Sequence, residues 1–354
     1  MNGYTAHPAD RDRAPAERRY DVVVVGGGAA GLSGALTLGR ARRSVLVVDA
    51  GEPRNAPAEG IHGLLGNEGT PPAALLATGR DEVRGYGGEI VDGTVVAAER
   101  GADGGFRVTL ADGGAVRAAR LLVTTGLVDR LPALPGLAEL WGTDVLHCPY
   151  CHGWEVQDRA IGVLATGPQA VAQALLWRQW SDRVTLFTHT GPEPGEQEYE
   201  QLAARGIAVV VGTVAALETA GGGLTGVRLA EGPVIACRTL VVAPYFAARA
   251  DVLASLGLET VGQEVAGQET ARRIEADPTG ATAVPGVWVA GNVADPLEKV
   301  AGAIASGVRA AAAVNADLVA EETRRAVAAR RDPFSAERER EVCTAVLGDR
   351  RHGL

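Results

Sequence analysis

The chain predicts an α/β fold built from two Rossmann-like, three-layer dinucleotide-binding domains. Three observations predict it: a β-branched run that ends in a glycine turn and opens an apolar helix near the start, a second strand–helix–strand unit in the middle, and a late strand followed by a helix of small residues.

The first unit begins with Asp21-Val22-Val23-Val24-Val25 and turns through Gly26-Gly27-Gly28-Ala29-Ala30-Gly31. An apolar helical pattern follows through Leu38, and a second β run, Val45 to Val48, ends at Asp49, about 20 residues beyond the turn. Gly26 makes the tight turn, Gly28 lets the backbone approach a pyrophosphate, and the helix N-terminus faces the negative charge. With strand, helix and acid all in register, this reads as a nucleotide site and not as a glycine-rich structural turn.

Short β patterns follow around Glu89 to Arg100 and Phe106 to Val116, then a strand ending Val123-Thr124-Thr125-Gly126. The Pro/Gly-rich Leu131-Pro132-Ala133-Leu134-Pro135-Gly136 reads as an interdomain hinge. A second unit runs from Ala160-Ile161-Gly162-Val163-Leu164 through a helix from about Pro168 to Trp180 to the strand Val184-Thr185-Leu186-Phe187. Strands at Val209 to Val211, Leu224 to Leu229 and Thr239 to Val242 complete it. Val287 to Asn292 is a strand entering a turn, followed by a helix from roughly Val300 to Val319 and a charged tail.

The 354 residues are 46% apolar, ample for two packed cores. A net charge of −9 without a basic stripe argues against nucleic acid as a partner. The polar, Arg-rich first nineteen residues and the lack of a long uncharged apolar run support neither a secretory signal nor a membrane span, so we expect a soluble, cytoplasmic protein.

Four cysteines in such a chain do not make a disulfide framework, but a close pair is of the catalytic or metal-binding kind. That pair is His147-Cys148-Pro149-Tyr150-Cys151-His152. A zinc knuckle would draw its second ligand pair from a distant segment, and no such pair occurs. Cys237 reads as a core thiol and Cys343 as incidental to the tail.

Four ordered features together resemble the low-molecular-weight thioredoxin reductase family over residues 20–325. They are the first glycine turn, the Thr125-Gly126 crossover, the CxxC in an inserted nucleotide-like domain, and Val284-Pro285-Gly286-Val287-Trp288-Val289-Ala290-Gly291-Asn292. The resemblance implies an FAD cofactor, a discontinuous FAD domain and a homodimer. It assigns 1–19 as a disordered extension, 20–130 and 248–325 as the FAD domain, 131–247 as a degenerate pyridine-nucleotide domain carrying the CxxC, and 326–354 as the tail. It places Gly26, Gly28, Ala29, Ala30, Gly31, Asp49, Asn55, Val95, Thr125, Gly126, Gly291, Asn292, Val300 and Ala301 against the flavin. Where the family has an aspartate, this chain has Asn292, whose amide can still donate and accept hydrogen bonds.

The second unit departs further. The family's first glycine is Ala165, which we expect to strain a turn that needs positive φ. The family's His-Arg-Arg cluster is replaced by His189-Thr190-Gly191-Pro192-Glu193-Pro194-Gly195-Glu196, which offers no cation for a 2′-phosphate. This pattern is similar to a branch of the family, the dithiol oxidases that close disulfides in natural products such as gliotoxin and holomycin. By that resemblance Cys148 exchanges with a small-molecule dithiol, Cys151 faces the flavin, and His152, with an unperturbed pKa near 6.5, carries protons. His147 is a second candidate for that role. Electrons then pass through FAD to O2, giving H2O2. The alternatives are reduction of thioredoxin with NADPH or ferredoxin as donor, and a flavin-binding regulatory protein without turnover.

Overall fold

The computed structural model describes residues 17–331 and 336–347. The chain opens with β1 (Arg19–Val25), α1 (Ala29–Arg40), β2 (Val45–Asp49), α2 (Pro72–Gly85) and β3 (Glu89–Asp92), then β4 (Val95–Arg100), β5 (Phe106–Leu110), β6 (Ala115–Val123) and β7 (Leu127–Arg130). The middle holds β8 (Val145–Leu146), α3 (Pro149–His152), β9 (Ile161–Leu164), α4 (Ala170–Trp177), β10 (Val184–Phe187), α5 (Glu196–Ala204), β11 (Ala208–Val210), β12 (Val214–Ala220), β13 (Gly223–Leu229), β14 (Val234–Ala236) and β15 (Thr239–Val241). The last part comprises β16 (Tyr245–Ala248), α6 (Asp251–Ala254), β17 (Thr260–Val265), β18 (Gln268–Ile274), β19 (Val287–Val289), α7 (Val300–Arg331) and α8 (Ala336–Leu347).

The first sheet runs β3-β2-β1-β6-β5-β4, with β19 added parallel to β6. Its centre is apolar without a break because both faces are covered: Val22, Val23, Val24 and Val25 of β1 are all buried. On one face α1 crosses α7 at close range. A Cβ on Gly307 would collide with the carbonyl of Ala30, so only a glycine permits that approach. Leu122 of β6 is fully buried in this layer with Leu32 and Leu38.

The second sheet, β11-β10-β9-β15-β8, is parallel throughout. A core around the fully buried Trp177 of α4 covers one face, and the β12-β13-β14 meander covers the other. The two bodies join through a third sheet, β17-β18-β16-β7, in which outgoing β7 and returning β16 pair antiparallel.

Several sequence-derived boundaries move. Arg19, expected in the disordered extension, begins β1, and Glu17 bridges Arg107 and Arg117; residues 1–16 of that extension lie outside the described residues. The expected hinge is no free linker, because Leu134 and Leu137 are buried in the second body and the Pro135 carbonyl accepts from the Leu217 N–H. The return strand starts at Tyr245, before the expected 248. α7 runs past Val319 to Arg331: Arg120 pairs with Asp317 and Glu321, and Arg43 with Glu322, holding its later turns. By length and composition α7 could cross a membrane, but its Ser306, Gly307, Ala310, Ala311 and Val314 face is packed inside the protein. In the tail, residues 326–331 and 336–347 are helical, and the rest lies outside the described residues.

Candidate active site

A cavity of about 770 Å3 opens where β1, β2 and β6 end. Gly26 has φ of +103°, and a Cβ there would stand 2.6 Å from the Thr124 carbonyl oxygen, so both conformation and space require glycine. Gly28 is the opposite case: a Cβ would meet nothing within 4 Å, because the residue looks into the cavity. It is also the N-cap of α1 and offers no side-chain cap, which leaves the first N–H groups of the helix available to an anion. At the far end of the turn the Gly27 N–H donates to Asp49 Oδ1 at 3.0 Å, and Arg80 pairs with the same carboxylate.

The sequence-expected Gly26, Gly28, Ala29, Ala30, Asp49, Asn55, Val95, Thr125, Gly126, Gly291, Asn292 and Val300 all line this cavity. Two expected residues do not. Gly31 backs onto the Gly26 carbonyl, where a side chain would collide, and Ala301 is exposed in the first turn of α7. The residues present fit FAD: an open helix N-terminus over an unfilled glycine cradle suits the pyrophosphate, and Asp49 can accept from a ribose hydroxyl.

Asn292 is used differently from expectation. Its Nδ2 donates to the carbonyls of Asp295, Pro296 and Glu298 at 3.0, 3.3 and 2.9 Å, and its Oδ1 accepts from Arg54 Nη1 at 3.4 Å. The donors expected to serve the flavin instead knit the loop before α7.

Cys148 and Cys151 line the same cavity and are joined as a disulfide, with Cα atoms 5.3 Å apart. Cys148 is the N-cap of α3 and Pro149 occupies the first helical position, a place where the missing N–H costs nothing. The Tyr150 ring meets Trp180 edge-on at 5.7 Å.

His147 and His152 flank the pair. Burial is the main cause that lowers the pKa of both. The Arg54 charge pushes His147 further down; Glu155 opposes the shift on His152. The sequence expectation of an ordinary imidazole at His152 is therefore corrected: desolvation favours the neutral ring, a ready proton acceptor at neutral pH. Neither of its ring nitrogens has a partner, nor has Nδ1 of His147, whose ring lies edge-on to Phe246 at 5.1 Å. Sequence reasoning missed His62, which reaches Glu68 at 2.7 Å and Glu155 at 3.5 Å from the loop between β2 and α2. It also missed Arg54, Arg80 and Lys299, which no motif marks.

A second cavity, of about 760 Å3, lies at the mouth of the second unit. Ala165 is not among the residues with positive φ, so the expected strain at that turn is absent. A Cβ on Gly167 would collide with the Gln268 carboxamide oxygen, so the end of this exposed side chain from β18 lies across the glycine turn. The following loop folds back, with the Gly191 N–H donating to the Ala165 carbonyl at 2.9 Å. His189 is kept neutral by burial, and its Nδ1 accepts from the Val214 N–H. Arg130, the one arginine on this wall, lies over the Tyr245 ring, whose hydroxyl donates to Glu269. These residues fit a pyridine nucleotide poorly: its phosphates would meet Arg130 alone on this wall and no cation in the 189–196 loop.

A family model described as pyridine nucleotide-disulphide oxidoreductase matches residues 20–307. Thioredoxin reductase tcpT of Claviceps purpurea is 32% identical over 315 residues, covering 85% of this chain and 95% of that protein. A probable thioredoxin reductase of Arthroderma benhamiae is 38% identical over 154 residues, a match covering 42% of this chain and only 38% of that longer relative. Among solved structures, HlmI is 46% identical with a TM-score of 0.81, covering 93% of this chain and 99% of that one.

Proposed function

Because the chain belongs to the pyridine nucleotide-disulphide oxidoreductase family and is thereby an FAD-binding oxidoreductase, we propose that it oxidises a small-molecule dithiol to a disulfide with O2 as electron acceptor. One observation carries this reading: the cysteine pair faces the flavin cavity, whereas the wall where a reduced nicotinamide would bind offers its phosphates a single arginine, Arg130. A substrate thiol is then the electron source that this site fits best.

His152, neutral through burial, takes the proton of a substrate thiol. The thiolate attacks Cys148, the S–S bond breaks, and Cys151 leaves as a thiolate. The second substrate thiol attacks the mixed disulfide, its proton passes to the departing Cys148 sulfur, and the product S–S bond forms. FAD, when bound, would supply the two-electron oxidation that restores the Cys148–Cys151 disulfide with O2 as final acceptor, and the two protons held by His152 and Cys148 would complete H2O2. Cavity-lining Gly26, Gly28, Asp49 and Thr125 would hold the flavin.

Oxygen uptake with a panel of small dithiols tests the reading; uptake with matching H2O2 is expected. Reduction of thioredoxin by NADPH or ferredoxin without such uptake would replace it with the reductase reading, which the name of tcpT favours. Bleaching under argon by stoichiometric NADPH would also overturn it.

A further inference from the structure

Lys299 is the chain's single lysine and stands immediately before α7, between the flavin cavity and the cysteine turn. Its Nζ lies 4.1 Å from the centroid of the Tyr150 ring, the residue held between Pro149 and Cys151. The loop that carries it is held by the Asn292 amide, which donates to the carbonyls of Asp295, Pro296 and Glu298, and by Glu298, whose carboxylate accepts from Ser306 at 2.8 Å.

The arginines near the cysteine pair are each tied to a carboxylate. Behind His147, Arg54 is bound by Asp129 through two hydrogen bonds; behind His152 stand Glu155 and His62; on the same wall Arg249 faces Glu52 at 3.9 Å. Among the described residues no carboxylate lies within 4.0 Å of Lys299 Nζ, and both flanking histidines favour the neutral state. Lys299 is thus an unpaired cation seated on Tyr150, the residue just before Cys151.

We propose that Lys299 is a positioning residue for the redox turn: its ammonium grips the Tyr150 ring and thereby brings to the cysteine pair the positive charge that favours the released thiolate. Thiolates beside a cation form more readily, and the face of a tyrosine ring attracts an ammonium through its quadrupole. The proposal rests on the cysteine pair being redox-active, but holds for thiol oxidase and thioredoxin reductase alike, so its failure leaves the choice between those readings untouched.

The test is the pH profile of iodoacetamide alkylation at Cys148 and Cys151 in the reduced holoenzyme under argon, read by mass spectrometry. In Lys299→Met the midpoint is expected to rise by about 0.5 to 1, a three- to tenfold slowing below it. Lys299→Arg should stay close to the native profile. Tyr150→Leu should reproduce the Lys299→Met profile and Tyr150→Phe should not, with no additional effect when Tyr150→Leu and Lys299→Met are combined. A native profile in Lys299→Met, with flavin content and circular dichroism unchanged, would overturn the proposal, as would a native profile in Tyr150→Leu.

Discussion

Asn292→Asp should destabilise the holoenzyme at neutral pH and much less in mild acid. The Asn292 NH2 group has two protons shared among three carbonyl oxygens 2.9 to 3.3 Å away. A carboxylate removes both donors and sets a negative charge against those oxygens. Losing two net hydrogen bonds at about 1 kcal/mol each, with carbonyls left unpaired, gives a cost of about 2–4 kcal/mol. Arg54 returns little of it, because Asp129 already neutralises that guanidinium. The new carboxyl is stabilised in its protonated form, so its pKa in the folded state must rise above the unfolded value near 4. For a group raised on folding, the penalty is complete above the folded pKa and fades as pH falls through it. Thermal release of flavin fluorescence, followed from pH 7.5 to 5, should show a midpoint about 5–10 °C below native at pH 7.5 and a narrowing gap below pH 6. An unchanged midpoint at pH 7.5, or a deficit of the same size at every pH, would refute this account of the loop.

Three further outcomes follow from the geometry. Gly28→Val should fold, since φ is −77° and the added side chain meets only open cavity, yet the purified protein should lose its yellow flavin absorbance. His152→Asn should lower kcat by about 10²–10⁴-fold; in the native enzyme the acid limb of kcat should lie below pH 6.5, where an unshifted imidazole would put it, because burial lowers the His152 pKa and the neutral base persists into mild acid. Leu122→Ala, which empties a fully buried position between α1 and the first sheet, should cost about 2–5 kcal/mol in chemical denaturation.

The local parts of this protein were legible in its sequence. Val22 to Val25, the glycine turn and Asp49 sit within one strand–helix–strand unit, where periodicity and turn chemistry decide the structure, and the Cys148–Cys151 spacing needs only one turn of chain. What was hidden depends on distant residues. Ala165 looked strained because the turn was judged by its own residue type; its backbone is ordinary, and the side chain that crosses the turn is Gln268, about a hundred positions away in another sheet. The His152 shift was hidden for a related reason, since desolvation is a property of the packed site and not of the residue. His62 and Arg54 come from the irregular stretch between β2 and α2, which has no pattern to announce them.

Gln268 across the Gly167 turn is the lesser of two barriers to a nicotinamide coenzyme. Its carboxamide end can swing aside, whereas the 189–196 loop has no cation to bring to a 2′-phosphate. Selectivity against that coenzyme therefore resides in charge more than in space.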